Sequence, residues 1–397
     1  MAVDKTELET ITVKFAGDSG DGIQLTGDQF GNTTAIAGND FATFPDFPSE
    51  IRAPLGTTYG VSSYQIQFAS KDIYTPGDRP DVLVCFNPAA LKVNLTVVNK
   101  GAIIVVNQDE FNEKNIKKAG FDSDPLEPGN KLLSDFTVHK IPITTLTLEA
   151  LVDMEMGHQD KLRCKNFLAL GVVSWLFSRS LEPIENFLKA KFGKKQMVLE
   201  ANTKVLHAGF NICDTMEIFP VMYKVPPAKL EPGTYRNING ALATTYGLLT
   251  AAEKIDLPIV YAGYPITPAS EVLHLLSALK QFDVSAVQTE DEIAAITMAL
   301  GAAYGGSLGI TGSSGPGLAL KIEALNLAVM TELPLIVFDF MRSGISTGMP
   351  TKTEQGDLLM ALFGRPSDSH VIVLAPSTAA DCFWISIEAV RLATKYM

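Results

Sequence analysis

The residues best suited to chemistry in this 397-residue chain stand in four short segments, one of them a pair of loops. In QTEDE, the carboxylates Glu290, Asp291 and Glu292 directly precede a run of Ala, Gly, Ile and Met that reads as a closely packed helix. Acidic residues at a helix start are ordinary dipole partners. The carboxyl nearest such a helix would also be buried by it, and a buried carboxyl with a raised pKa suits proton transfer. In YPITPASE, Tyr264 to Glu271, two prolines preset the backbone around the Thr267 hydroxyl. As structure alone this is a strand-to-helix turn, with Pro268 near the first helical position and Glu271 in the first turn. TGSSGPG (Thr311 to Gly317) and MRSGISTGMPTKTEQGD (Met341 to Asp357) are rich in glycine and hydroxyls. Arg342 closes an apolar strand, either paired with a neighbouring carboxylate or free to fork onto a ligand carboxylate. Finally, GDSGDG (Gly17 to Gly22) offers backbone N–H groups beside a helix start, a setting for a phosphate or carboxylate. Its spacing is not GxGxxG, Asp18 and Asp21 oppose an anion, and a tight turn needing glycine explains it equally.

Parallel strands are expected to position these segments. Ile11 to Phe15 reads as a strand feeding the GDSGDG turn and then a helix, the usual opening of an α/β domain. VSSYQIQFAS, DVLVCFN, GAIIVVNQ and FTVHKIPI read as further strands, with helices around Ala89 to Val98 and Lys165 to Ser178. FPVMYKVPPAKLEPGTYRNING contains Pro220, Pro226, Pro227 and Pro232 and reads as an extended linker. This divides the chain into an α/β domain over 1–219, a linker over 220–239 and a second α/β domain over 240–397. In the second, helix and strand alternate: GALATTYGLLTAAEKI, LPIVYAGY, PASEVLHLLSALKQF, EIAAITMALGAAYGG, SLGITGSS, LALKIEALNLAVMTE and LPLIVFDFM. Ligands of such folds bind in the loops at the carboxyl ends of the strands, which is where the four segments fall.

Composition narrows the class. A chain this long, 46% apolar, supplies the cores of two domains. Mean hydropathy is +0.16, yet no run approaches the roughly 18 to 20 apolar residues needed to cross a bilayer. The first residues lack the pattern of a secretory signal, so a cytoplasmic protein with no membrane partner is expected. Cys85, Cys164, Cys213 and Cys382 lie 79, 49 and 169 residues apart, which fits no metal or iron–sulfur motif and suggests reduced core thiols. The net charge of -12 argues against nucleic acid as the main partner.

YPITPAS, EDE before a small-residue helix, SSGPG, then Arg342, STG, PTKTEQ and DL occur in this order, and together they resemble the pyrimidine-binding half of the alpha subunit of 2-oxoacid:ferredoxin oxidoreductases. The 2-oxoglutarate type is the nearest in pattern. GDSGDGIQLTGDQFG, FPSEIRAPLGTTYGVSSYQI and PDVLVCFN resemble the gamma domain that this family often fuses ahead of the alpha domain. The resemblance implies two α/β domains with mainly parallel sheets, the gamma domain followed by a thiamine diphosphate (TPP) pyrimidine-binding domain.

It also implies a reaction: CoA-dependent oxidative decarboxylation of a 2-oxoacid, with 2-oxoglutarate going to succinyl-CoA as the expected case and electrons passed to ferredoxin. TPP would be shared with a beta subunit that carries Mg2+ and the [4Fe-4S] cluster, in a dimer of heterodimers, and this chain would hold no metal. Carried over onto matching positions, Glu292, nine residues before Gly301, is the cofactor-activating glutamate. Thr267 and Arg342 hold the substrate carboxylate, and Tyr264, Pro265, Ile266, Thr267, Ser314, Gly315 and Gly317 line the cofactor. Arg52 is a candidate for the distal carboxylate, and Gly17, Gly20 and Gly22 for CoA. Two departures stand out: Ser343 and Ile345 replace a glycine and a proline of the family's RGGPSTG, and the chain stops at Met397, as a fragment or split subunit would, where the family continues into another α/β domain. Gly20-Asp21-Gly22 also mimics the GDG of a TPP diphosphate motif, but Asn32 and Asn39 come too early to close it. An NAD(P)-dependent Rossmann dehydrogenase and a noncatalytic scaffold for a beta subunit are the alternatives.

Overall fold

The computed structural model describes residues 4–48 and 53–397. The chain forms two compact units, Met1–Thr234 and Tyr235–Met397. The first runs β1 (Asp4–Glu7), β2 (Thr10–Asp18), α1 (Ile23–Ile36), β3 (Asp40–Asp46), β4 (Val61–Ala69), β5 (Val82–Cys85), α2 (Pro88–Asn94), β6 (Ile103–Asn107), α3 (Glu113–Lys118) and β7 (Thr137–Ile141). It continues through α4 (Ile143–Ala150), α5 (His158–Leu162), α6 (Lys165–Leu176), α7 (Glu182–Phe192), α8 (Gln196–Thr215) and β8 (Val221–Lys224).

Its main sheet has the order β3-β4-β2-β5-β6-β7. β2, β5, β6 and β7 are parallel, whereas β4 runs antiparallel to both β2 and β3. Strands covered on both faces read as unbroken apolar runs, and the four residues of β5, VLVC, are all buried. The KNFLALGVVSWL segment is apolar around its whole circumference, and α6 is accordingly buried along almost its full length. It crosses α8 with backbones nearly touching: a Cβ added at Gly171 would lie 2.2 Å from the Leu206 carbonyl oxygen, and one at Gly209 would lie 2.1 Å from that of Leu168.

The proline-rich segment is more structured than the linker expected over 220–239. β8 pairs in parallel with β1, Asp4 opposite Val221, and the unit boundary falls after Thr234. Prolines remove donors but keep acceptors. The buried Asn39 Nδ2 meets those acceptors, donating to the carbonyls of Val225 and Pro226 at 3.3 and 2.6 Å.

The second unit contains α9 (Gly240–Ile255), β9 (Ile259–Gly263), α10 (Ser270–Ala278), β10 (Val284–Gln288), α11 (Glu292–Tyr304), β11 (Leu308–Ser313), α12 (Pro316–Thr331), β12 (Leu335–Asp339), α13 (Leu358–Phe363) and α14 (Ala379–Tyr396). Its sheet is wholly parallel, in the order β10-β9-β11-β12. From β9 the chain moves outward to β10, and from β11 outward the other way to β12. The chain therefore reverses direction between β9 and β11, the place where open parallel sheets leave a crevice at their carboxyl ends. The core beneath is built on Leu248, Ile259, Tyr261, Val272, Leu308 and Ile310. Each such side chain, taken out of water, contributes about 1.5–3 kcal/mol before chain entropy is counted. Among the described residues no helix is long and apolar enough to cross a membrane.

Candidate active site

Gly263 and Gly312 are paired neighbours at the ends of β9 and β11, so the loops after both strands open on the same crevice. After β11 the backbone turns sharply at Gly315, with φ 49° and ψ -113°, and enters α12 through Pro316. The Ser313 and Ser314 hydroxyls are buried there with no hydrogen-bond partner. A Cβ added at Gly317 would lie 2.1 Å from Ser313 Oγ, 2.9 Å from Glu292 Cγ and 3.2 Å from Glu292 Oε1. The missing side chain is therefore what lets Glu292 and the serine turn meet.

Glu292 is the first residue of α11 and is half-buried, whereas Glu290 and Asp291 are exposed. The three carboxylates divide their roles. Asp291 caps the helix, its Oδ1 accepting from the Ala294 N–H at 2.7 Å. Glu292 makes no side-chain hydrogen bond among the described residues. Its carboxyl is left free at the mouth of the crevice. Behind it stands a residue that the sequence reading passed over. Lys321 is fully buried, and its Nζ donates to the Glu292 carbonyl at 2.8 Å and to Thr311 Oγ1 at 3.2 Å. A lysine within LALKIEAL reads as the polar face of an amphipathic helix, and only its spacing of four from Gly317 hinted at the site.

Arg342 lies just past β12 and is 5% exposed. Its two terminal nitrogens donate to the carbonyls of Thr267 (2.9 Å) and Thr347 (2.7 Å), while Nε is buried without a partner. It contacts no carboxylate among the described residues, so of the two readings of this arginine the ion pair is absent. Its side chain packs over Gly315, where a Cβ would lie 3.5 Å from its Cγ and Nε. Thr267 is thus beside Arg342, through its carbonyl, and its own side chain is exposed. Tyr264 is half-buried, Pro265 exposed and Ile266 buried in the same loop. Pro268 falls in the turn ahead of Ser270, where α10 begins, rather than at its first helical position.

The loop after Arg342 is tied to itself. Glu354 Oε2 accepts from Ser343 Oγ and from the Gly344 N–H, both at 2.9 Å, and these bonds hold its carboxyl below the usual range. Ser343, a departure from the family pattern, has its hydroxyl used there. Ile345, the other departure, is 94% exposed. Asp357 Oδ2 accepts from the Gly315 N–H at 3.1 Å. Asp339, at the end of β12, has both carboxyl oxygens buried without partners. Burial and then the neighbouring Asp357 push its pKa up to about 7.

The second unit also contains a mainly apolar cavity of about 830 Å3 along β12, α9, α12 and α14. Glu292, Ser314, Gly317 and Arg342 do not line it, although Pro268, Leu318 and Met341 beside them do.

The first unit places Gly17 inside β2, Gly20 in an exposed position with open space around it, and Gly22 in the left-handed region at φ 75°. The turn supplies an anion of its own: Asp21 Oδ2 accepts from the Asp18 N–H at 2.9 Å, and Lys165 pairs with Asp21 at 2.8 Å. Asp18 accepts from the Gly56 N–H at 2.8 Å, and burial, with Asp21 adding, pushes it up to about 6. Arg52 lies outside the described residues. Cys85, Cys164 and Cys213 are buried free thiols, and Cys382 is half-buried. No cluster of three or more His, Cys, Asp or Glu able to hold a metal occurs among the described residues.

Comparisons with known proteins identify the family. Residues 12–212 match the family model described as pyruvate ferredoxin/flavodoxin oxidoreductase, and residues 252–397 match the one described as pyruvate flavodoxin/ferredoxin oxidoreductase, thiamine diphosphate-binding. The chain is 54% identical over 395 residues to the 2-oxoglutarate oxidoreductase subunit KorA of Mycobacterium tuberculosis, an alignment covering 100% of this chain and 60% of that protein. It is 41% identical over 137 residues to the 2-oxoglutarate synthase subunit KorA of Archaeoglobus fulgidus, covering 34% of this chain and 40% of the relative. Among solved structures, the 2-oxoglutarate:ferredoxin oxidoreductase from Magnetococcus marinus, with 2-oxoglutarate, coenzyme A and succinyl-CoA bound, superposes with a TM-score of 0.79 at 32% identity. That match covers 97% of this chain and 62% of the other. The chain thus spans about three-fifths of the length of the full-length relatives it matches.

Proposed function

From the premise that the chain belongs to the pyruvate ferredoxin/flavodoxin oxidoreductase family, we propose that it forms the gamma and pyrimidine-binding part of a 2-oxoglutarate:ferredoxin oxidoreductase. The observation that carries this reading is the uncommitted Glu292 carboxyl, set against Gly317 beside two buried, unpartnered serine hydroxyls. These residues fit the aminopyrimidine of TPP. An acid at the edge of a flat ring can hydrogen-bond a ring nitrogen.

When bound, TPP supplies the carbon nucleophile that a 2-oxoacid decarboxylation requires. The chain's own part is positional and electrostatic. The Glu292 carboxyl would hydrogen-bond a nitrogen of the ring. Tyr264, Pro265, Ile266 and Ser314 flank the ring. Arg342 is charged and buried, with its Nε–H unused, and takes the substrate carboxylate in a charge-assisted contact worth roughly 1.5–3 kcal/mol, with Thr267 beside it. A beta subunit completes the site with the diphosphate, Mg2+ and the [4Fe-4S] cluster, ferredoxin accepts the electrons, and the assembly is a dimer of heterodimers. CoA contacts the first unit at Gly20, the one glycine of Gly17, Gly20 and Gly22 that is exposed with nothing nearby. Arg52, outside the described residues, is the candidate for the distal carboxylate, with a structural ion pair as the other reading. The family match leaves the NAD(P)-dependent dehydrogenase without support.

The test is 2-oxoacid- and CoA-dependent reduction of a low-potential dye by the assembled complex. 2-Oxoglutarate should outrun pyruvate and branched 2-oxoacids, and Arg52→Ala should reduce that preference. Glu292→Gln should lower kcat by about 10²–10⁴-fold. A Gln variant with full activity would sink the reading and favour the scaffold alternative.

A further inference from the structure

Lys321 follows Gly317 by four residues on α12, so the two share the face turned toward β11 and the start of α11. Its ammonium is fully buried, and the two oxygens it reaches, the Glu292 carbonyl and the Thr311 hydroxyl, are both neutral. It forms no ion pair among the described residues. Burial brings its pKa down to about 8, although Glu292 and then Asp291 pull it back upward. A buried cation without a contacting counter-ion is an expensive way to fill space. An apolar side chain of the same length would pack at position 321 without that penalty. What the ammonium adds is a tie between the two elements that carry the site.

We propose that Lys321 is a positioning residue: by joining the main chain of Glu292 to Thr311 it fixes how far the Glu292 carboxyl reaches across Gly317 toward the cofactor ring. This rests on the function proposed above. The first turn of a helix is where the backbone is least held by its own ladder. Asp291 secures that turn through the Ala294 N–H, and Lys321 secures it through the Glu292 carbonyl, from the opposite side. Glu292 has no side-chain bond to steady it, so its placement depends on these two main-chain anchors.

The experiment compares Lys321→Met, Thr311→Val, Glu292→Gln and the double variant Glu292→Gln with Lys321→Met, each in the complex with the partner subunit. Misplacing a catalytic group by an ångström costs on the order of 10²-fold, so Lys321→Met should lower kcat by about 10- to 100-fold while KM for 2-oxoglutarate moves by less than about twofold. Independently of turnover, hydrogen exchange in the cofactor-free complex should quicken over residues 289–300 and stay unchanged over α9 and β9. Thr311→Val keeps the charge, loses one of its two partners, and should show the same two changes at smaller size. The double variant should be no slower than Glu292→Gln alone. Wild-type kcat with wild-type protection of 289–300 in Lys321→Met overturns the proposal. So does a loss accompanied by faster exchange throughout the second unit, which marks a packing role. Should Lys321→Met not fold, Thr311→Val decides by the same criteria. Full activity in Glu292→Gln is a separate result and defeats the underlying functional reading instead.

Discussion

Asp339 is held in the structure against its own chemistry. Its carboxyl oxygens are buried without donors, and its pKa rises from 3.8 to about 7 through burial and the nearby Asp357. A carboxyl whose folded pKa is raised destabilises the fold progressively as pH climbs from the unfolded value to the folded one, and the penalty is complete above about 7. Asp339→Asn removes the ionisation and offers Asp357 a donor. The variant should therefore match the wild type near pH 4 and gain stability up to pH 7, reaching a plateau on the order of 4 kcal/mol. Thermal unfolding across that range checks it, and a pH-independent difference would refute the assignment. At this scale the sequence reading was uneven. Glu292 and Arg342 could be named because each stands at a helix or strand end inside a motif that resembles the family's, Glu292 nine residues before Gly301. Asp339 could not be, because nothing in LIVFDF distinguishes an acid facing water from one facing a second carboxyl. Lys321 was hidden for the same reason: burial of a charge is a tertiary event.

Elements with strong periodicity or unbroken apolar runs were legible to within a residue or two. GALATTYGLLTAAEKI is α9 from first residue to last, and SLGITGSS contains β11. β10 and β3 escaped notice for physical reasons. β10, VSAVQ, is short and only partly buried at the sheet edge, and β3 contains a proline, so neither presents the run that announces a covered strand. β8 was hidden inside a proline-rich stretch because its pairing partner is the distant β1. The contact between α6 and α8 was equally invisible, since glycine inside a helix ordinarily reads as weakness. Here Gly171 and Gly209 let two backbones cross almost in contact. Gly171→Val should push the helices apart and cost about 2–4 kcal/mol, read as a lowered denaturation midpoint of the first unit. A midpoint within error of the wild type would mean that the helices cross elsewhere.

For the whole molecule, the division into two units was readable from composition, and only the position of the boundary needed the structure. Each unit has its own core and sheets. Produced separately, 1–234 and 235–397 should each unfold in one cooperative transition by calorimetry and circular dichroism. A fragment that lacks a transition would show that its core depends on the other. The reversal of chain direction between β9 and β11 has a wider consequence. The acid that would serve the coenzyme and the guanidinium that would grip the substrate hang from opposite wings of one sheet, and each leans on the glycine turn between them. Lineages could then change how the reacting carboxylate is gripped by editing the stretch after β12, and the machinery on the other wing would be inherited untouched.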